Sequence, residues 1–451
     1  MICYIICNVN GIINIHYIEE VVFLRSIIRI VILGFVLLLG ILLPVPNWRH
    51  TGNRVVDPLI SQRPLSSVIP TVTETVTSKP TPLPSVQEID LVKEQIQNMT
   101  IDEKIGQLVM VGLEGYTISE DIKKLIVDGH VSGCILFSSN IKNSEQLRSL
   151  LNSLKVANKS NKIPMFFSVD QEGGRVNRLP DEIKNIPTNR DLGKINNRDL
   201  LYKTGAVIAD AIKMYGFNMN FAPVLDIDSN PKNPVIGDRS FGSDAKRVST
   251  LGIQMMKGMQ SRNVISVVKH FPGHGDTVID SHLGLPVVTY DLDRLNRFEL
   301  VPFKEAIRNH ADVIMVAHIL LTKLDDKNPA SFSKKVITDL LRVDMQYGGV
   351  VITDDMTMGA VTQHYNLAEA AVTSIQAGSD IILVCHDYQK ELSVITALRN
   401  ALKQGTLSEE RIDKSVYRIL QLKKKYNISD QIIDSVDVEN INRQINNLFY
   451  K

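Results

Sequence analysis

The residues best suited to chemistry lie in one short segment, 269–286, which reads KHFPGHGDTVIDSHLGLP. Its eighteen residues include three histidines, two aspartates and three glycines. Asp280 and His282 are two positions apart, so in an extended segment their side chains point the same way and the carboxylate can orient the imidazole. Such a pair suits general acid–base catalysis. The glycines and prolines predict a long loop, where binding and catalytic groups often gather.

Two other interpretations of this segment stay open. The Asp-Ser-His tripeptide at 280–282 can form an exposed turn without a catalytic role. Alternatively, a metal ion could be ligated by His270, His274, Asp276 and His282. These four residues lack the helical histidine pair or the two-histidine, one-carboxylate pattern that would make a metal motif specific.

Charged and polar residues also end several apolar runs elsewhere in the chain. A single residue of this kind can simply cap a helix or complete a turn. Several together predict a functional site, because parallel-barrel enzymes build their sites at the C-terminal ends of the strands. The residues are Asp170 with Gln171 and Glu172, Asp226 and Asp228, Lys269 with His270, His318, and Thr353 with Asp354 and Asp355.

The elements that must position these residues alternate regularly after about residue 85. Short, nearly continuous apolar runs indicate strands that are buried on both faces, hence a parallel sheet with helical crossovers. Eight strand–helix units over about 340 residues predict an α/β fold, a (β/α)8 TIM-like barrel, with a doubly wound open sheet as the alternative. The predicted strands are 105–111, 133–137, 164–170, 217–226, 264–270, 312–318, 349–354 and 380–385, and predicted helices include 119–130, 143–159, 198–216, 245–263 and 333–348.

Composition narrows the class of protein. The chain has 451 residues, of which 44% are hydrophobic and 22% are charged, as expected for a globular protein with a large core. Fifty Lys and Arg residues against 49 Asp and Glu residues give a formal charge of +1, so nucleic acid is not an expected partner. The four cysteines show neither a disulfide framework nor zinc-site spacing.

The N-terminal part predicts attachment to a membrane. Residues 30–45 carry no charge and follow Arg25 and Arg29, and their length lies between that of a signal-peptide core and that of a spanning helix. No small-residue cleavage site follows, which favours an uncleaved signal anchor over a cleaved signal peptide. We expect a catalytic domain anchored to the cell membrane and facing away from the cytoplasm, or a secreted one.

The chain therefore divides into four predicted regions. Residues 1–45 hold the signal-anchor or signal-peptide segment. Residues 46–86, rich in Pro, Ser and Thr, are expected to be a disordered linker. Residues 87–427 are expected to form the barrel domain, and residues 428–451 a C-terminal tail.

Several motifs resemble one known family. KHFPGHGDT followed by DSH, together with DQEGGRVNR at 170–178, IGDRSFG at 236–242 and LLRVDMQYGGVVITDDMT at 340–357, is similar to glycoside hydrolase family 3, in its bacterial β-N-acetylglucosaminidase branch. The resemblance spans about residues 90–425. It implies a TIM-like catalytic barrel, β-N-acetylhexosaminidase activity on N-acetylglucosamine-containing saccharides, and no metal or organic cofactor.

The resemblance also implies catalytic roles. Asp354, which follows Thr353 in the sequence GVVITD, corresponds to the family's nucleophile, and its neighbour Asp355 does not. His282, supported by Asp280, corresponds to the general acid/base of this branch. Retaining glycosidases need these two functions, because the nucleophile forms a glycosyl–enzyme intermediate while the acid protonates the leaving oxygen.

Five further positions resemble the family's sugar-binding residues. Asp170 would accept hydrogen bonds from sugar hydroxyls, and a structural ion pair is the alternative role for all five. The other four, expected to be donors, are Arg178, Arg239, Lys269 and His270. We expect Glu172 and Arg175 to hold their loop, and His274 and Asp276 to shape theirs.

The expected function is a retaining exo-β-N-acetylglucosaminidase acting on peptidoglycan fragments or related saccharides. Transfer to phosphate stays open beside hydrolysis, because an imidazole acid/base lacks the negative charge that would repel an anionic acceptor. The alternatives are a β-glucosidase or β-xylosidase of the same family, and a non-catalytic cell-wall carbohydrate-binding protein.

Overall fold

The computed structural model describes residues 90–450, and eight of their strands form a closed parallel barrel. The barrel strands are β1 (Val109–Val111), β2 (Gly133–Leu136), β3 (Phe166–Val169), β4 (Met219–Asn220), β5 (Ile265–Phe271), β7 (Val313–Val316), β9 (Val350–Asp355) and β10 (Ile381–Val384). Their order is β1-β10-β9-β7-β5-β4-β3-β2, and β1 pairs with both β10 and β2. The predicted barrel is confirmed and the open sheet is excluded.

The eight predicted strands each overlap one barrel strand, but the fourth prediction, 217–226, extends well beyond the two residues of β4, and the first begins too early. Residues Ile101–Gln107 form a helix. This helix begins at Thr100, whose hydroxyl accepts from the backbone of Glu103 while the Glu103 carboxylate accepts from the backbone of Thr100. This reciprocal cap favours a helix, so the strand prediction for residues 105–107 was wrong.

The structure also contains a small second sheet that the sequence did not predict. Its strands, β6 (Val287–Val288) and β8 (Leu320–Leu321), pair in parallel outside the barrel. Each has only two residues, which is too short for an alternating pattern to be read. The sheet joins the chain just after the histidine-rich loop to the chain just after β7.

Helices follow the strands, and the five helices predicted above are all present. Residues Lys335–Asp344, within the fifth, adopt the wider π-helical winding. The α-helices are Leu91–Gln97, Ile101–Gln107, Glu120–Val127, Ser144–Ala157, Asn189–Ile195, Arg198–Lys213, Ala245–Ser261, Leu292–Arg297, Val301–Arg308, Gly359–Thr362, Leu367–Ala377, Tyr388–Lys403, Glu409–Lys425 and Val438–Phe449. Short 3-10 turns are Ser138–Asn140, Asn158–Ser160, Gly237–Arg239 and Ala330–Phe332.

The core is continuous from the barrel interior to the surrounding helices. All seven residues of β5 are buried, as are all residues of β1, β2, β3, β7 and β10. Burial on both faces of the strands explains their nearly continuous apolar runs. Polar residues concentrate where the strands end.

Beyond the last barrel helix, the C-terminal part packs onto the domain. Asp430 accepts hydrogen bonds from Asn158 Nδ2 at 2.7 Å and from the backbone of Met165 at 3.1 Å. Residues Val438–Phe449, hereafter the C-terminal helix, bury Ile441 and Ile445. This segment is therefore an integral part of the domain surface.

The predicted signal anchor at 30–45 and linker at 46–86 lie outside the described residues. Among residues 90–450, no helix combines the length and the apolar character needed to cross a membrane.

Candidate active site

A cavity of about 300 Å³ opens where the barrel strands end. Its volume is at the small end for ligand pockets, so it suits one sugar ring better than several. The cavity brings together all eight residues predicted to be catalytic or sugar-binding. They are Asp170, Arg178, Arg239, Lys269, His270, Asp280, His282 and Asp354.

Asp354 lies near the end of β9, directly after a fully buried stretch of that strand. Its Oδ1 accepts a hydrogen bond from the backbone of Asp355 at 2.9 Å. Burial opposes ionisation, but the nearby imidazoles of His270 and His318 outweigh it and hold the pKa of Asp354 below its ordinary value. The group is therefore an anion at neutral pH, as a nucleophile must be.

The neighbouring Asp355 has a different set of hydrogen-bond partners. Its carboxylate accepts hydrogen bonds from the backbone of Cys385 at 3.0 Å and of Thr357 at 2.9 Å. Its backbone carbonyl accepts from His318 Nε2 at 2.9 Å. Asp355 thus ties β9 to β10 and to the following turn, which separates its role from that of Asp354.

Asp280 and His282 form the expected pair. Asp280 Oδ1 lies 2.7 Å from His282 Nδ1 and also accepts from the backbone of His282 at 2.9 Å. Burial would raise the pKa of Asp280, but these hydrogen bonds lower it below its ordinary value. The segment is a turn rather than an extended strand, since the backbone of Leu283 donates to Asp280 O at 2.9 Å. The turn and the carboxylate–imidazole pair therefore occur together.

Hydrogen bonds on two sides fix the loop that carries His282. His274 Nε2 lies 3.0 Å from Ser281 Oγ, while its Nδ1 lies 2.7 Å from Thr277 Oγ1. Burial and the neighbouring His270 lower the pKa of His274 to about 4, so it is neutral at pH 7. On the other side, the backbone of Gly359 donates to His282 O at 3.2 Å, and a Cβ at Gly359 would lie only 2.5 Å from that oxygen. A glycine is required there for the loop to approach so closely.

A buried ion-pair network supports the predicted sugar-binding side. Glu172, only 1% exposed, accepts from Arg239 Nε at 2.9 Å and Nη2 at 2.7 Å, and from Lys269 Nζ at 2.8 Å. Lys269 also pairs with Asp170. Burial would raise the pKa of Glu172, but the two cations hold it well below its usual range. Glu172 therefore positions Arg239 and Lys269, in agreement with its expected role in holding the loop.

His270 is held by an aspartate to which no role was assigned from the sequence. Asp226 Oδ2 lies 2.6 Å from His270 Nδ1, and Asp226 Oδ1 accepts from the backbone of His274 at 2.6 Å. This pairing leaves His270 Nε2 as the ring nitrogen available to a ligand. The signal was present in the sequence, because Asp226 ends a predicted strand.

The two arginines of the 170–178 motif differ in their contacts. Arg175 donates to Asp238 at 2.6 Å and to Val235 O at 2.6 Å, so it holds its loop as expected. The guanidinium of Arg178 lines the cavity and makes no hydrogen bond to any residue within 90–450. Arg178 is therefore free to donate to a ligand.

The candidate metal ligands have separate protein partners. His270 pairs with Asp226, His274 with Ser281 and Thr277, and Asp276 with Tyr290 Oη at 2.5 Å. Within the described part of the chain, no three His, Cys, Asp or Glu residues are grouped to hold a metal ion.

Two further residues at the cavity were missed by the sequence analysis. Phe137 and His386 line it, at the ends of β2 and β10. Their strand-end positions were the available signal, but neither residue lies in a motif that carries a family resemblance.

The barrel carries a small cavity at its rim, lined by charged donors, an ionised carboxylate and a carboxylate–imidazole pair. This combination is that of a barrel glycoside hydrolase. The sequence profile of the Glycosyl hydrolase family 3 N terminal domain matches residues 100–422. The chain belongs to glycosyl hydrolase family 3, and the predicted family membership is confirmed.

Individual relatives are similar over most of the described chain. Beta-hexosaminidase A of Pseudoalteromonas piscicida is 33% identical over 367 residues, which cover 72% of this chain and 61% of that protein. The Beta-hexosaminidase of Nitrosomonas eutropha is 32% identical over 323 residues, which cover 70% of this chain and 91% of that protein. The structure of a glycoside hydrolase family 3 beta-N-acetylglucosaminidase from a Paenibacillus species is 40% identical, with a TM-score of 0.74, covering 78% of this chain and 68% of that one. The chain thus spans about three fifths of the Pseudoalteromonas protein and most of the other two.

Proposed function

We propose that the protein is a retaining exo-β-N-acetylglucosaminidase that removes a terminal N-acetylglucosamine from peptidoglycan-derived or related saccharides. The observation that carries this proposal is the presence of Asp354 and the Asp280–His282 pair at one small cavity. The names of the relatives support the choice of an N-acetylated sugar.

In the first step, Asp354 attacks the anomeric carbon and forms a glycosyl ester. His282, protonated on both ring nitrogens, gives its Nε2 proton to the departing glycosidic oxygen, so the leaving group departs as a neutral alcohol. Asp280 keeps the Nδ1 proton in place, because its carboxylate is the partner of that nitrogen. The imidazole ends the step neutral.

In the second step, neutral His282 takes a proton from an acceptor on Nε2, and the acceptor oxygen attacks the anomeric carbon. The ester bond to Asp354 breaks, and the product keeps the original anomeric configuration. With water as the acceptor the reaction is hydrolysis. Phosphate is the alternative acceptor, and product analysis in phosphate buffer distinguishes the two.

During both steps the charged network would hold the sugar. Asp170 accepts from hydroxyls, while Arg178, Arg239, Lys269 and His270 Nε2 are donors around the same cavity. Charged groups form the stronger hydrogen bonds to neutral hydroxyls.

The test is release of nitrophenol by the full chain from a matched pair of substrates, aryl β-N-acetylglucosaminide and aryl β-glucoside. We expect a clear preference for the N-acetylated substrate, unaffected by EDTA, with the β-anomer as first product by NMR. Asp354→Asn serves as the inactive control. A preference for the glucoside would favour a β-glucosidase, and no turnover of either by folded protein would favour a carbohydrate-binding protein.

We propose further that the chain acts outside the cytoplasm, anchored through residues 30–45. The charge-free apolar sequence of that segment supports this location. The test is fractionation of cells that express the full chain or residues 88–451. The full chain should enter the membrane fraction and the shorter chain should not; equal distribution of both would contradict the anchor.

A further inference from the structure

Two aromatic rings stack at the rim of the cavity, outside the machinery described above. The rings of Phe137 and His386 have centroids 5.2 Å apart and an interplanar angle of 29°. Phe137 directly follows β2, whereas His386 lies just beyond β10. Because β1 lies between these two strands in the barrel, the pair bridges the rim above the end of β1.

Phe137 is partly buried and packs against the barrel core, but core packing does not explain the position of His386. The His386 side chain is 56% exposed, and within residues 90–450 its ring nitrogens have no hydrogen-bond partner. Its nearest charged neighbour, Asp355 Oδ2, is 4.0 Å away. Both residues line the cavity, so the stack places an aromatic surface at its rim. Surfaces of this kind are common in ligand sites.

The pair is close to the point where the leaving group would emerge. The loop carrying the acid/base is held against the chain that follows β9, since the backbones of Gly359 and Ala360 donate to the carbonyls of His282 and Ser281. Strand β9 is the neighbour of β10 in the barrel. His282 and His386 therefore line the cavity from adjacent sectors of its rim.

We propose that Phe137 and His386 form a platform for the leaving group, stacking against the pyranose ring that is joined to the terminal sugar. A pyranose presents C–H groups on its face, and an aromatic face is the complementary, electron-rich surface. The hydroxyls of that ring can bond the free nitrogens of His386. This inference rests on the proposed function, because it names a site for the second ring of the same substrate.

A platform that contacts only the leaving group should affect the rate only for substrates whose leaving group is a sugar ring. Binding energy from a non-reacting part of a substrate helps to reach the transition state, so losing it lowers kcat as well as raising KM. A substrate whose leaving group has no ring cannot use this energy. The dependence on leaving-group structure separates a platform from a residue that merely supports the barrel rim.

The experiment compares the full chain with Phe137→Ala, Phe137→Leu and His386→Ala on two substrates that share the same terminal sugar. One is N,N′-diacetylchitobiose, whose leaving group is a sugar, and the other is β-N-acetylglucosaminyl fluoride. For each variant we expect kcat/KM to fall at least about fivefold more on the disaccharide than on the fluoride. Phe137→Trp, which keeps an aromatic ring at this position, should retain a disaccharide rate close to that of the wild type. Tyr202→Ala, which removes an exposed aromatic ring from the outer helix Arg198–Lys213, is the matched control.

Equal losses on both substrates, or no loss on either, would overturn the platform while leaving the proposed function intact. Phe137→Leu keeps most of the side-chain volume, so it decides the question if Phe137→Ala fails to fold. A wild-type chain that releases N-acetylglucosamine from neither substrate would overturn the proposed function and the platform with it.

Discussion

Asp280 Oδ1 accepts two hydrogen bonds from His282, one from its backbone and one from its imidazole Nδ1, at 2.9 and 2.7 Å. A carboxylate can only accept, so the Nδ1 position carries a proton and Nε2 is left for the substrate. The pair is local in sequence, and its orientation is set by a single turn. The side chain of His282 is 64% exposed, so it can meet a leaving group that extends into solvent.

Replacing His282 should affect substrates according to their leaving groups. We expect His282→Ala to lower kcat/KM by about 10²-fold or more on N,N′-diacetylchitobiose, whose leaving alcohol needs a proton, and far less on an activated aryl β-N-acetylglucosaminide. Rates measured on both substrates check this. Equal losses on the two would assign His282 to binding instead of proton transfer.

Replacing Asp354 should remove turnover on every substrate. Asp354→Asn keeps the side-chain volume but removes the charge that attacks carbon, so we expect kcat to fall by about 10³-fold or more. Asp355→Asn should lower stability instead, because Asp355 bonds the backbones of Thr357 and Cys385. Rates and thermal unfolding of both variants separate the two roles. Near-wild-type turnover by folded Asp354→Asn would eliminate it as the nucleophile.

The barrel was predictable from sequence because its strands are buried on both faces and its helices are amphipathic. All eight residues predicted to be catalytic or sugar-binding line the cavity, since each follows a barrel strand or lies in a motif. The secondary-structure predictions failed where local hydrogen bonds outweighed the hydrophobic pattern or where a strand was too short to show one. The Thr100–Glu103 cap turned an apolar run into a helix, and the two-residue strands β6 and β8 gave no readable period.

Contacts between distant segments could not be predicted in the same way. Glu172 meets Arg239 and Lys269 only after the chain has folded into a barrel. Asp226, although it ends a predicted strand, gains its role from packing against His270. Such partners depend on which strand ends lie side by side, and a single sequence does not state this.

The buried network makes Glu172 a test of stability as well as of binding. Glu172→Gln removes one charge and leaves two buried cations with fewer partners, so we expect a loss of about 3–5 kcal/mol in the free energy of unfolding. Asp199→Asn, which breaks an exposed pair with Lys203 at 2.6 Å, is the matched control and should change little. Urea unfolding measures both variants. Similar small changes would show that the network is not a stabilising one.

His274 should make the fold sensitive to mild acid. Its pKa of about 4 in the folded state lies below the unfolded value of roughly 6.5, so the unfolded chain binds more protons between these values. Stability therefore falls as the pH drops from about 6.5 to about 4, by up to roughly 3 kcal/mol from this residue. His274→Gln should lose less stability than the wild type over that interval. Urea midpoints across the pH range check this, and identical slopes for both proteins would refute it.

The C-terminal helix contacts the chain that supports the sugar-binding motif. Asn442 accepts from the backbone of Lys184 at 2.8 Å and donates to Glu182 O at 2.7 Å. One residue further on, Asn185 Nδ2 donates to Gly174 O at 2.7 Å. Gly174 belongs to the same 170–178 segment as Glu172 and Arg178. The C-terminal helix is therefore connected to the cavity through the chain at 182–185, which it contacts and which in turn contacts this segment.

Removing that link should weaken substrate binding without removing catalysis. We expect Asn442→Ala to raise KM for the aryl β-N-acetylglucosaminide about threefold to tenfold with little change in kcat, because two hydrogen bonds to the loop backbone are lost. Asn446→Ala is the matched control, since within residues 90–450 the side chain of Asn446 hydrogen-bonds only to the side-chain amine of Lys184 and not to the loop backbone. The two KM values decide the question. If both variants have the same KM, the C-terminal helix covers the domain surface without positioning the loop.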